Sequence, residues 1–117
     1  MTNSHICSKT DQKEKMVIQN QLSQISAEII ANWFKAFSDI NRVKIGFLLL
    51  RQEELCVHDI SQLLNLSIAN TSHHLRLMKT LGITSTKKQG TTVLYSLKDE
   101  HVKEILNLSF MHLLEEN

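Results

Sequence analysis

The 117-residue chain contains no proline and only three glycines. The two residue types that most often interrupt helices are therefore scarce, and long helices are expected. No apolar run approaches the roughly 20 residues needed to span a bilayer. Residues 1–15 are polar and lack the apolar stretch of a secretion signal. Together these absences lead to the expectation of a cytoplasmic protein with reduced thiols. The two cysteines, Cys7 and Cys56, leave room for one disulfide at most. In a reducing compartment, with six histidines in so short a chain, metal ligation is the better reading of them. A hydrophobic content of 42% supplies one core of single-domain size. A monomer this small buries a limited fraction of its surface, which favours oligomerisation.

A local absence is more informative than the net charge of +1. Residues 60–98 contain no Asp or Glu but carry Arg76, Lys79, Lys87, Lys88 and Lys98. Residues 99–117 reverse this, with Asp99, Glu100, Glu104, Glu115 and Glu116 set against Lys103. A polyanion-binding segment followed by a cation-binding one fits that division.

Hydrophobic periodicity and capping residues divide the chain into elements. Residues 1–12 read as a flexible arm, and residues 13–117 as one domain. Helices are expected over 13–23, 26–37, 40–51, 57–64, 68–81 and 100–115. In the second, Ile29, Ile30, Trp33, Phe34 and Phe37 form a stripe expected to be buried. Ser38-Asp39 breaks the chain and can cap the third helix. In the fourth, Ile60, Leu63 and Leu64 are expected to face inward. Asn65-Leu66-Ser67 makes a tight break, Ser67 can cap the fifth helix, and Gly82 ends it. Two short helices across such a turn form a helix-turn-helix. Two β-type runs, 83–88 and 91–97, flank Gln89-Gly90 and read as a hairpin. The fold class is thus mainly α with a small β-hairpin, a winged helix-turn-helix. The last helix is so apolar that it needs a partner, and its copy in a second subunit is the simplest one, so dimerisation through terminal helices is expected.

In a helix-turn-helix the second helix enters the major groove, with its N-terminal half reaching the base edges. Here that half holds Ser67, Ala69, Asn70, Thr71, Ser72, His73 and Arg76. Asn suits adenine, Arg suits guanine, and the small residues allow close approach. Lys87, Lys88 and Gln89 near the hairpin tip suit phosphate contacts. His73 and His74 are read as facing DNA or the core rather than a metal.

Asp99-X-His101 and His112-X-X-Glu115 provide two carboxylates and two imidazoles, a set competent for zinc. His112 and Glu115 share a helix face. Asp99 and His101 can converge only at a helix start, where the backbone is not yet helical. His101 and His112 return to nearly one face but lie about 16 Å apart along the axis. Bonds of about 2 Å cannot bridge that distance. An antiparallel second copy would bring His112 and Glu115 beside the other subunit's Asp99 and His101, giving two identical sites across a dimer interface. Cys56-X-His58 and His5-X-Cys7 form a second, softer set that could take zinc, cadmium, lead or copper(I). A helix start favours the thiolate that binds metal. The alternative is a structural Cys56 and an arm with no role in binding.

Glu54-Leu55-Cys56-Val57-His58-Asp59-Ile60, Ser72-His73-His74-Leu75-Arg76, Lys88-Gln89-Gly90 and Tyr95-Ser96-Leu97 together resemble the ArsR/SmtB family of metal sensors. Ala36-Phe37-Ser38-Asp39-Ile40-Asn41-Arg42 also looks like a family segment, with Asn41 where proline is common. The resemblance spans roughly residues 26–117. Asp99, His101, His112 and Glu115 match the family's C-terminal zinc site at each position. Cys56 and His58 match its site at the start of the helix-turn-helix, where cadmium and lead sensors usually carry Cys-X-Cys. His58 makes that site harder and keeps zinc open. The resemblance implies a homodimer that binds double-stranded operator DNA when metal-free and leaves it on binding metal. It implies no enzyme activity. A small zinc hydrolase is also disfavoured by the residues themselves, because no general base stands beside an open ligand position. Sensing of thiol oxidation through Cys7 and Cys56 is the competing regulatory reading.

Overall fold

The computed structural model describes residues 9–115, apart from the side chain of Glu115. His5 and Cys7 lie outside the described residues. The chain divides into two compact units, residues 1–30 and 31–117. In the first, helix α1 (Gln12–Gln24) opens with a reciprocal cap. Asp11 Oδ1 accepts the Glu14 N–H at 2.8 Å, and Glu14 accepts the Asp11 N–H at 3.1 Å. The last two residues assigned to the arm therefore belong to the helix and its cap. No described residue of α1 is buried.

Helix α2 (Ala27–Lys35) starts in the first unit and ends in the second. It is shorter than expected, because Ala36–Ser38 tightens into a 3-10 turn. The Ser38 hydroxyl donates to the Lys35 carbonyl and Arg42 Nε donates to the Ala36 carbonyl, so the released carbonyls keep partners. The expected buried stripe is corrected in part: Trp33 and Phe37 are half-buried against the core, but Ile29, Ile30 and Phe34 are exposed. Periodicity identifies an apolar face without saying whether the same chain covers it.

The second unit is the winged helix-turn-helix, expected as helices plus a hairpin. Helix α3 (Ile40–Arg51) is capped by Asp39, whose Oδ1 accepts the N–H groups of Asn41 and Arg42. Strand β1 (Leu55–Cys56), which was not expected, leads into α4 (Val57–Leu64). Ile60 is fully buried, whereas Leu63 is exposed and does not face inward. Asn65 closes α4 in the left-handed region at φ 57°, a conformation Asn tolerates better than most residues. Helix α5 (Ile68–Thr80) follows from Ser67, whose hydroxyl accepts the Asn70 N–H.

Strands β2 (Thr84–Gln89) and β3 (Thr92–Leu97) form the wing. They turn through Gly90, whose φ of +67° few other residues adopt. The sheet is antiparallel in the order β1-β3-β2, so the wing has three strands rather than two. Two residues of β-structure are too few to leave a periodic signal, which explains the missed β1.

Helix α6 (Glu100–Glu115) is the last described element. Ile45 and Leu49 of α3, Ile60 of α4, Leu75 and Met78 of α5, Ile83, Leu97 of β3, and Val102 and Leu106 of α6 make one core. A Cβ added at Gly46 would lie 3.2 Å from Leu106 Cδ1, so this glycine lets α3 and α6 approach closely. The outer part of α6 stays uncovered, with Leu108, Met111, Leu113 and Leu114 exposed.

Candidate DNA-reading and metal-ligating sites

Helix α5 separates into two faces. Thr71, His74, Leu75 and Met78 recur at helical spacing and are buried. Ala69, Asn70, His73 and Arg76 recur on the other side and are exposed, with Ser72 between. The exposed set is the surface that a major groove can meet. Thr71 does not belong to it: the residue is fully buried, and its hydroxyl donates to the Ser67 carbonyl. That corrects its assignment to DNA. Burial satisfies the hydroxyl locally, as is common for Thr bonding back one helical turn. Ser67 stands exposed at the helix start, where its hydroxyl is engaged in capping.

Adjacent histidines take opposite roles. His73 faces outward, while His74 is buried, with Arg42 Nη1 3.2 Å from its Nδ1. Arginine has no acceptor, so His74 accepts there and carries its proton on Nε2 when neutral. Arg42 also donates to the Ala36 carbonyl at 2.7 Å and pairs with Asp39 at 4.0 Å. This network fastens the recognition helix to the start of α3, a role that His-His spacing alone does not reveal. Burial lowers the His74 pKa from its ordinary 6.5, Asp39 opposes that, and the charges of Arg42 and His73 add to it. Burial would raise the Asp39 pKa, but the N–H donors of Arg42 and Asn41 and the Arg42 charge leave it below 3.8.

The wing is tied down on two sides. Lys79 Nζ of α5 donates to Thr86 Oγ1 at 2.9 Å, and Lys87 Nζ pairs with Glu54 at 2.9 Å. The β2–β3 register runs unbroken from Thr84↔Leu97 to Gln89↔Thr92. Successive side chains therefore alternate between sheet faces, and Lys87 and Lys88 point to opposite sides. Lys88 and Gln89 are exposed near the turn.

The metal candidates are distributed along α6 and at the α4 start. Asp99 Oδ1 accepts the Val102 N–H at 3.0 Å, so one carboxylate oxygen caps α6. His101 and His112 are both exposed on one unbroken helix. Among the described residues, no three His, Cys, Asp or Glu side chains come together in a metal-sized group. Cys56 is half-buried at the α4 cap position with its thiol unused in capping, and His58 is exposed one residue further on. Cys56 is also held in β1 opposite Leu94 of the wing. Among the described residues, no helix is long and apolar enough to cross a membrane.

The profile of the bacterial regulatory protein, arsR family, matches residues 39–86, from the Asp39 cap to the first wing strand. The chain is 49% identical over 83 residues to a cadmium resistance transcriptional regulatory protein CadC homolog of Staphylococcus aureus, covering 71% of this chain and 69% of that one. It is 35% identical over 108 residues to the cadmium resistance transcriptional regulatory protein CadC of Listeria innocua, covering 91% of each. A homodimeric winged helix-turn-helix DNA-binding domain from Mycobacterium bovis superposes with a TM-score of 0.70 at 22% identity, covering 93% of this chain and 91% of that one, which shows the shared fold. With a helix-turn-helix that buries one face and exposes the other, and with relatives that are transcriptional regulators rather than enzymes, the chain belongs to the ArsR/SmtB family of bacterial regulatory proteins.

Proposed function

We propose that the protein is a homodimeric repressor that binds operator DNA without metal and leaves it when zinc binds across the dimer interface. The observation that carries this reading is helix α6. It runs unbroken from Glu100 to Glu115, with an exposed apolar face between the two ligand pairs. One chain leaves His101 about 16 Å from His112 along the axis, with Asp99 further still, so a single copy cannot close the shell. The mixed carboxylate–imidazole set fits zinc. Glu115, whose side chain lies outside the described residues, enters by its position three residues after His112. The relatives named for cadmium resistance support metal as the effector. Cys56 and His58, joined by His5 and Cys7, form the second set, for which cadmium, lead and copper(I) compete with zinc.

Ser67, Ala69, Asn70, Ser72, His73 and Arg76 read the operator, with Lys88 and Gln89 on the backbone. Repression and release are linked thermodynamically: an effector that binds the DNA-free dimer more tightly weakens DNA binding by the same factor, typically about 5- to 150-fold. The test is operator binding followed by fluorescence anisotropy, with zinc and then chelator. Zinc should lower affinity and chelator restore it. Indifference to zinc with loss on cadmium or lead would move the switch to Cys56 and the arm. Indifference to all three metals would overturn the metal reading in favour of thiol oxidation.

A further inference from the structure

Lys87 and Lys88 are neighbours in a basic wing, but the sheet gives them different surroundings. Thr84, Thr86 and Lys88 share one face of β2, and Ser85, Lys87 and Gln89 share the other. The first face turns toward α5: Thr84 is buried, and Lys79 of α5 bonds Thr86. Lys88 lies next along that face toward the turn, on the side of the recognition helix. Lys87 faces away from it. Its row across the sheet is Lys87, Leu94 of β3 and Cys56 of β1. Its ammonium reaches over that row to Glu54, just ahead of β1.

We infer that Lys87 is a positioning residue rather than a phosphate contact: paired with Glu54, it holds the wing against β1 so that Lys88 meets the DNA backbone. The inference rests on the operator-binding reading above. The wing then has one tether on each face, Lys79–Thr86 to the recognition helix and Lys87–Glu54 to the segment before β1. The side chains of Lys87 and Glu54 are 61% and 39% exposed, so the pair is a modest tether. Each single loss should change affinity only about 1.5- to 5-fold.

The experiment is a charge swap read by affinity and by salt dependence. Lys87→Glu and Glu54→Lys should each weaken operator binding, and the double variant should restore it. Lys88→Gln should flatten the slope of log affinity against log salt by about 0.9, the value for one lost phosphate contact, while Lys87→Gln leaves the slope unchanged. A Lys87→Gln slope change of that size, or a swap that fails to rescue, would overturn the inference and return Lys87 to the DNA contacts. A wild-type protein that binds no operator would instead sink the repressor reading. The tether is then decided by the DNA-free amide spectrum: either single substitution should shift the Gly90 and Thr91 resonances and the swap should return them, and unmoved resonances would overturn it.

Discussion

Helices α5 and α6 are both amphipathic, yet they are completed differently. Helix α5 buries Thr71, His74, Leu75 and Met78 within its own chain and shows solvent a mostly polar face. Helix α6 buries Val102 and Leu106 and leaves Leu108, Met111, Leu113 and Leu114 outside, with Leu108 65% exposed. A DNA-reading surface can therefore be finished by one chain, because its outer face is meant for a polar partner. The outer face of α6 is apolar, and within one chain it is unfinished. Under the proposed function this becomes a division of labour, with reading built into the monomer and sensing into the assembly.

The comparison breaks first on core substitutions. Leu75→Ala, at a fully buried position, should destabilise the protein by about 2–5 kcal/mol, whereas Leu108→Ala should change the stability of the isolated chain by less than about 0.5 kcal/mol. Chemical denaturation measures the first, and the concentration dependence of sedimentation measures what Leu108→Ala does to self-association. Equal stability losses would mean α6 is already covered within the chain.

A smaller effect should separate sensing from reading. Replacing His101 and His112 together by Ala should leave metal-free operator affinity unchanged and remove a coupling of about 1–3 kcal/mol, seen as loss of zinc-induced release. Zinc that still dissociates this variant from DNA would assign the switch to Cys56 and His58.

The smallest effect concerns the joint between α3 and α5. Because burial first of all lowers the His74 pKa below 6.5, the unfolded chain takes up that proton before the folded one. His74 thus contributes stability above pH 6.5 that is lost as pH falls from there toward the folded-state value. Asp39, held below 3.8, contributes stability that persists further into acid before it is lost. Melting temperature should fall on mild acidification, and His74→Gln should flatten that fall. An unchanged slope would remove His74 from the joint.

Several elements were legible because short-range chemistry defines them. Asp39 caps α3, as the Ser38-Asp39 break led one to expect, and α3, α4 and α6 start and stop where periodicity and capping put them. Local chemistry said less where a partner distant in sequence decides. Thr71 looked like a base-reading residue because it is small, polar and in the right half of the helix, but its side of α5 packs inward. His73 was read as facing DNA and is exposed, but the partner that holds its neighbour His74 inside, Arg42, lies 32 residues away and left no local sign. Lys87 and Lys88 looked equivalent until the strand register set them on opposite faces.

By itself the amino-acid order determined the helix-turn-helix, the glycine turn of the wing and the spacing of the candidate ligands along α6. Each depends on dihedral preference, capping or the helical repeat, all of which act within a few residues. Only the tertiary structure decided which face of each element meets protein and which meets solvent. Burial and pairing are set by residues that the fold brings together from far along the chain, such as Arg42 with His74 and Glu54 with Lys87.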